Sequence, residues 1–128
     1  MAFSNRLKSE AFTAAVDLST SQFHIVDLDS TALNVTIGAA DGGFGILQNK
    51  PQSGEHATVA VEGMSKCIAG GAISVGNYIT SAASGYATAV ASGLSAKKVI
   101  GRAVTAAASG SVFTVEIDRF VSAATLAI

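Results

Sequence analysis

Few side chains in this 128-residue chain could do chemistry: two histidines, one cysteine, nine carboxylates and eight Lys or Arg. His24 and His56 are the natural metal ligands or general bases. Neither a His-x-His nor a His-Glu-x-x-His spacing is present, and these are the spacings that place two imidazoles on one ion. Asp27, Asp29, Asp41, Glu55 and Glu62 could add ligands. Asp27 and Asp29, two apart, would share one strand face and could hold a cation, but a solvated strand end accounts for them as well. Ser84 and Ser109 each precede a glycine but lack the upstream glycine of a Gly-x-Ser-x-Gly elbow, so both read as turn residues. The segment 42–51 has glycines and Lys50 but not the spacing of a phosphate loop, and no Gly-x-Gly-x-x-Gly occurs. Cys67 has no partner for an internal disulfide and reads as a small buried hydrophobe, which suits a reducing compartment. No catalytic residue, metal ligand or cofactor site is expected.

Composition narrows the class further. The chain is 49% hydrophobic and 13% charged with a net charge of −1. Disorder needs polarity and net charge, and phosphate-backbone binding needs a basic surface; neither fits, so no nucleic-acid partner is expected. The 13% charged fraction is about half that of an ordinary soluble domain, which points to a surface covered by other copies or by a partner. The thirty residues 67–96 carry no charge at all. Gly70, Gly71, Gly76, Gly85 and Gly93 cut this run into pieces too short and too polar for a spanning helix, so no membrane partner is expected. No secretory signal is read at the start of the chain.

The elements that must position these residues read as short strands. Val35 and Ile37 continue an alternation begun by Leu33, residues 56–64 alternate around Ala57, Val59 and Val61, and residues 112–118 alternate most clearly of all. Short strands are also expected at 23–28, 44–47, 78–80, 86–91 and 99–105, with turn chemistry at Asp41-Gly42-Gly43, Ala69-Gly70-Gly71, Ser84-Gly85 and Ala108-Ser109-Gly110. Strands recurring every eight to twelve residues or so predict an all-β fold, a small barrel or sandwich. Residues 1–20 have no glycine and scattered apolar residues, and are expected to form an N-terminal arm, either extended or a short helix through Phe3, Leu7 and Ala11. Residues 21–120 are then the β domain and 121–128 a C-terminal tail.

Lys66, in Val61-Glu62-Gly63-Met64-Ser65-Lys66, is faintly similar to the modified lysine on the hairpin tip of biotinyl or lipoyl carrier domains, although the flanking residues differ. A wider likeness runs through 45–118. Its elements are Gly45-Ile46-Leu47, the alternating 57–64, the Val75-Gly76-Asn77-Tyr78-Ile79-Thr80 segment, Gly85-Tyr86-Ala87, Ile100-Gly101-Arg102-Ala103 with Ala108-Ser109-Gly110, and 112–118. In this order they resemble the head-decoration, or capsid cement, proteins of tailed bacteriophages, some formerly catalogued as recombinase-like. The resemblance implies a compact β-barrel or tulip-like domain, a homotrimer, and a structural role on the outer surface of a virion. It implies synthesis in the host cytoplasm and the major capsid protein as partner. The recombinase label would imply nucleotide binding, which the missing phosphate loop does not support.

On that reading Phe3, Arg6, Leu7, Lys8 and Phe12 of the arm are expected to contact the capsid. Ile73, Val75, Tyr78, Tyr86 and Val90, from the uncharged run, are expected at the interface between copies. Other readings are a subunit of another β-rich assembly, such as a tail, a fibre or a cellular oligomer, a carrier domain modified at Lys66, or an enzyme whose site is assembled between subunits.

Overall fold

The computed structural model of the chain describes residues 7–90 and 98–117. Nine strands carry the fold: β1 (Lys8–Ala14), β2 (Ile25–Leu28), β3 (Asn34–Ile37), β4 (Gly45–Leu47), β5 (His56–Ile68), β6 (Tyr78–Ser81), β7 (Ala87–Ala89), β8 (Gly101–Ala103) and β9 (Val112–Ile117). Among the described residues one 3-10 turn, Ala83–Gly85, precedes β7. Of the barrel and the sandwich that the strand spacing allows, the barrel is present. β1, β3, β2, β4 and the first half of β5 pair in that order, and β5 returns to β1, which closes a five-stranded barrel. All its ladders are antiparallel except β1–β3. Closure gives every barrel strand a neighbour on both sides, although β1 meets β3 only at Thr13 and Ala14.

The second half of β5 begins another sheet, in the order β5-β9-β8-β6-β7. It curls until Ala69, just past β5, bridges Ala87 of β7, with Gly70 N–H donating to Ala87 C=O at 2.7 Å. Each half encloses its own core. Leu18, Val26, Val35, Leu47, Val59 and Val61 fill the barrel. Cys67, Ile79, Ile100, Ala103, Phe113, Val115 and Ile117 fill the second half. Ile25, Ile46 and Ala60 sit on barrel strands but belong to the second core. The second sheet therefore covers one outer face of the barrel. This double coverage explains why β4 is buried at every position and shows no alternation.

β5 passes from one half to the other at a bulge. Its register against β1 slips by one residue where Ser9 faces Ala60 but Lys8 faces Glu62. Gly63 follows with φ +97°, a backbone conformation that L side chains rarely adopt. Odd-numbered residues line the barrel up to Val61, and Cys67 lines the second core. β1 ends its ladder at Glu62 and β9 begins its own at Gly63, so the two follow one another along β5.

The arm expected over 1–20 is corrected from Lys8 onward. Residues 8–14 are the strand that closes the barrel, with neither an arm nor a helix there. Phe12 lies opposite Ala57, is half-buried, and meets Phe44 edge-on at 5.5 Å between ring centres. Leu18 is fully buried. The physical reason is closure: four strands of this length leave a gap that β1 fills. Phe3, Arg6 and the tail 121–128 lie outside the described residues.

Much of the uncharged run also turns inward. Cys67, Ala69, Ile73, Ile79, Thr80, Ser81 and Ala87 are buried within the chain, so its lack of charge follows largely from lining the second core.

Candidate functional site

The chemically capable side chains are dispersed, and most are occupied in holding the fold. His24 is buried, with Nδ1 2.9 Å from the Ser84 carbonyl and its ring 4.6 Å from that of Tyr86. His56 is exposed on β5, with Nε2 3.1 Å from Thr58 Oγ1. Both Asp27 oxygens accept backbone bonds from the loop before β4, from Ala39 N at 3.0 Å and Gly43 N at 2.8 Å. That carboxylate is a loop staple, and Asp29 accepts from Thr31 N at 3.2 Å in a turn of its own. No cluster of three or more His, Cys, Asp or Glu that could hold a metal ion is found among the described residues. Ser109 Oγ donates to the Gly70 carbonyl at 3.3 Å, in keeping with a turn role. Burial pushes the Cys67 thiol up to about 12, against a small opposing hydrogen bond from the Ile68 backbone, so the reactive thiolate is suppressed.

Lys66 does not sit on a hairpin tip. It lies in the middle of the β5–β9 ladder opposite Thr114, with Nζ 5.8 Å from the centre of the Phe23 ring. A carrier lysine must swing on a protruding turn. The paired strand around Lys66 removes that reading.

What remains is surface. The outward residues of the second sheet align across strands: Met64 with Glu116 and Arg102, and Ile68 with Val112. Val104 N donates to Thr114 O at 2.8 Å, which brings Val104 into the same face. Val104 and Val112 are 40% and 52% exposed, so this bare face mixes aliphatic contact area with Lys66, Glu116 and Arg102. Arg102 lies over the Tyr78 ring at 4.8 Å and donates from Nε and Nη2 to the Gly76 carbonyl, both at 3.3 Å.

The expected interface residues separate on this map. Ile73 and Val90 are buried and pack within the chain. Val75 is widely exposed in the turn that Arg102 braces, and Tyr78 is half-buried beneath Arg102. Tyr86 is exposed elsewhere, its ring tilted at 51° against that of His24 beside a groove of about 380 Å³ that Val16 also lines. Of the expected capsid contacts, Leu7 and Lys8 are exposed where β1 begins, whereas Phe12 is half-buried and packs against the barrel core.

Two apolar surfaces escaped the sequence reading. Val112 was legible, since the alternation of β9 turns it outward with Thr114 and Glu116. The other surface is the β2–β3 turn, where Leu28 is 54% and Leu33 72% exposed. Leu33 falls in phase with Val35 and so reads as inward, but its φ of +63° takes it out of the strand.

Comparison with known proteins bears on these surfaces. A family model described as phage cement protein matches residues 11–119. No curated protein matches the chain in sequence. Among solved structures, the N base of head fiber gp8.5 in bacteriophage phi29 is similar over 88% of this chain and 95% of that one, with 19% identity and a TM-score of 0.69, a likeness of fold.

Proposed function

This chain belongs to the phage cement protein family, and from that membership we propose that it decorates the outer surface of a phage capsid, binds the major capsid protein and stabilises the expanded shell. It is a structural component of a phage virion. The observation that carries the finer reading is the bare outer face of β5, β9 and β8, with Val104 and Val112 in solvent beside Met64 and Ile68. A solitary domain gains nothing from such a face; a subunit with neighbours buries it.

Decoration works by linkage. A ligand that binds the expanded shell and not its precursor stabilises the expanded form by an amount that grows with occupancy. Many symmetric copies each contribute a modest increment. We assign the bare sheet face to self-association, as a homotrimer closed about a three-fold axis, because an obligate interface needs extended apolar area.

Co-sedimentation with purified expanded and unexpanded shells of the encoding phage tests this. The protein is expected to pellet with expanded shells only and to raise their melting temperature. Absence of binding to either form overturns the capsid reading. Sedimentation equilibrium tests the trimer, and Val112→Asp is expected to shift it to monomer.

A further inference from the structure

We propose that the β2–β3 turn, residues 28–33, is the anchor by which this protein grips its shell, with Leu33 and Leu28 entering an apolar pocket of the capsid subunit. The proposal rests on the capsid reading above and names the contact within it.

The turn is tightly built. Asp29 N donates to Asn34 O at 2.9 Å, Asn34 N to Thr31 O at 3.1 Å, and Thr31 N to Asp29 Oδ2 at 3.2 Å. Thr13 N of β1 donates to the Leu33 carbonyl at 2.9 Å, which ties the turn to the strand that closes the barrel. This backbone needs a left-handed residue at position 33, and φ there is +63°. Glycine or asparagine meets that requirement with little strain; leucine is a poor choice.

The other non-glycine residues with positive φ have side chains or carbonyls in use. The Phe23 ring lies under Lys66, and its carbonyl accepts from Ile68 N. The Ser84 carbonyl faces His24 Nδ1. The Asp41 carbonyl accepts from Lys98 N at 3.0 Å. The Leu33 backbone serves the fold in the same way, yet its side chain is 72% exposed, the highest among the large apolar residues the structure describes. A strained backbone that presents an apolar side chain to water marks a position kept for contact and not for stability. Leu28, the last residue of β2, adds a second exposed leucine on the same turn.

The size of the feature selects the occupant. Two leucines on a braced turn make a small plug, far short of the area a stable self-interface needs. They suit a receptor that repeats over a lattice, where each copy binds modestly. The sheet face of β5, β9 and β8 is the larger surface and belongs to the other half of the molecule.

The test uses Leu33→Asn and Leu33→Gly in the full chain. Both are expected to melt at or a few degrees above the wild-type temperature, to keep its oligomeric state, and to bind expanded shells about 10- to 100-fold more weakly, the loss that unburying one leucine implies. Leu28→Ser is expected to weaken shell binding in the same direction. If wild type binds shells and both Leu33 variants bind equally well, the anchor proposal is overturned while the capsid reading stands. If wild type itself does not bind, it is the capsid reading that fails. Dissociation of the oligomer by Leu33→Asn would reassign the turn to self-contact and overturn the proposal. A fall in melting temperature with both variants would also overturn it, by giving the leucine a structural role.

Discussion

The barrel and the second sheet solve the same packing problem differently. The barrel core is dominated by valine, with Val26, Val35, Val59 and Val61 around Leu18 and Leu47. Branched side chains fill a closed ring of strands whose spacing is set by the ladders. The second core sets Ile79, Ile100, Phe113 and Ile117 among Cys67, Ala69, Ala87 and Ala103. Small residues there let strands and turns approach closely. A Cβ placed on Gly101 would lie 2.0 Å from the Glu116 carbonyl oxygen. Their surfaces differ too. The barrel's most exposed large apolar residue is on one turn, whereas the second sheet spreads apolar area across a face. Each half has a stable interior and a distinct way of offering contact.

Four substitutions or conditions would break or sharpen that contrast. Leu47→Ala leaves a void in a ring that cannot collapse, and is expected to cost about 2–5 kcal/mol by chemical denaturation. Gly101→Ala drives a methyl into backbone instead, and is expected to cost about 3 kcal/mol or more. If Gly101→Ala is harmless while Leu47→Ala unfolds the protein, the second core is not tightly packed and the contrast fails. Asp27→Ala removes both bonds to the loop before β4 and is expected to cost about 2 kcal/mol, with raised amide exchange at Ala39 and Gly43.

The smallest effect concerns Cys67. Its ordinary value of 9.0 rises to about 12 in the fold. The unfolded chain therefore releases the thiol proton first. The associated stability is fully present below pH 9 and declines from there toward pH 12, by at most about 1.4 kcal/mol per pH unit. Cys67→Ala should flatten that part of the stability profile. The native thiol should also resist a thiol reagent at pH 8 until the protein unfolds.

Legibility in the sequence followed the same division. β9 was readable over its whole length, because only one of its faces is buried. β5 is readable to Met64; past the bulge and Gly63 its odd-numbered residues stay buried, but Ser65 takes an inward position while Met64 and Ile68 face outward, so the apolar alternation fades before the strand ends at Ile68. β4 and β8 are three residues each, too short to show a period. β1 reads as an arm in the sequence because its partner on β5 lies about fifty positions away, a pairing that no local pattern records, and residues 8–11 stay exposed and need no apolar alternation. Leu33 reads as inward because alternation assumes an unbroken strand, and a single left-handed residue voids that assumption. The chemistry was legible by its scarcity in the sequence, whereas the contact surfaces depend on which face each strand turns to solvent.

β5 is one continuous thirteen-residue strand laid through both cores. Neither half can therefore melt alone: freeing the second sheet strips cover from Ile25, Ile46 and Ala60, and opening the barrel removes the strand on which β9 is registered. Two interiors should give one calorimetric transition. If both proposed contacts hold, load between the sheet face and the β2–β3 turn would pass through that strand. Antiparallel ladders on β1 and β9 would carry it in shear, sharing the load among several hydrogen bonds at once.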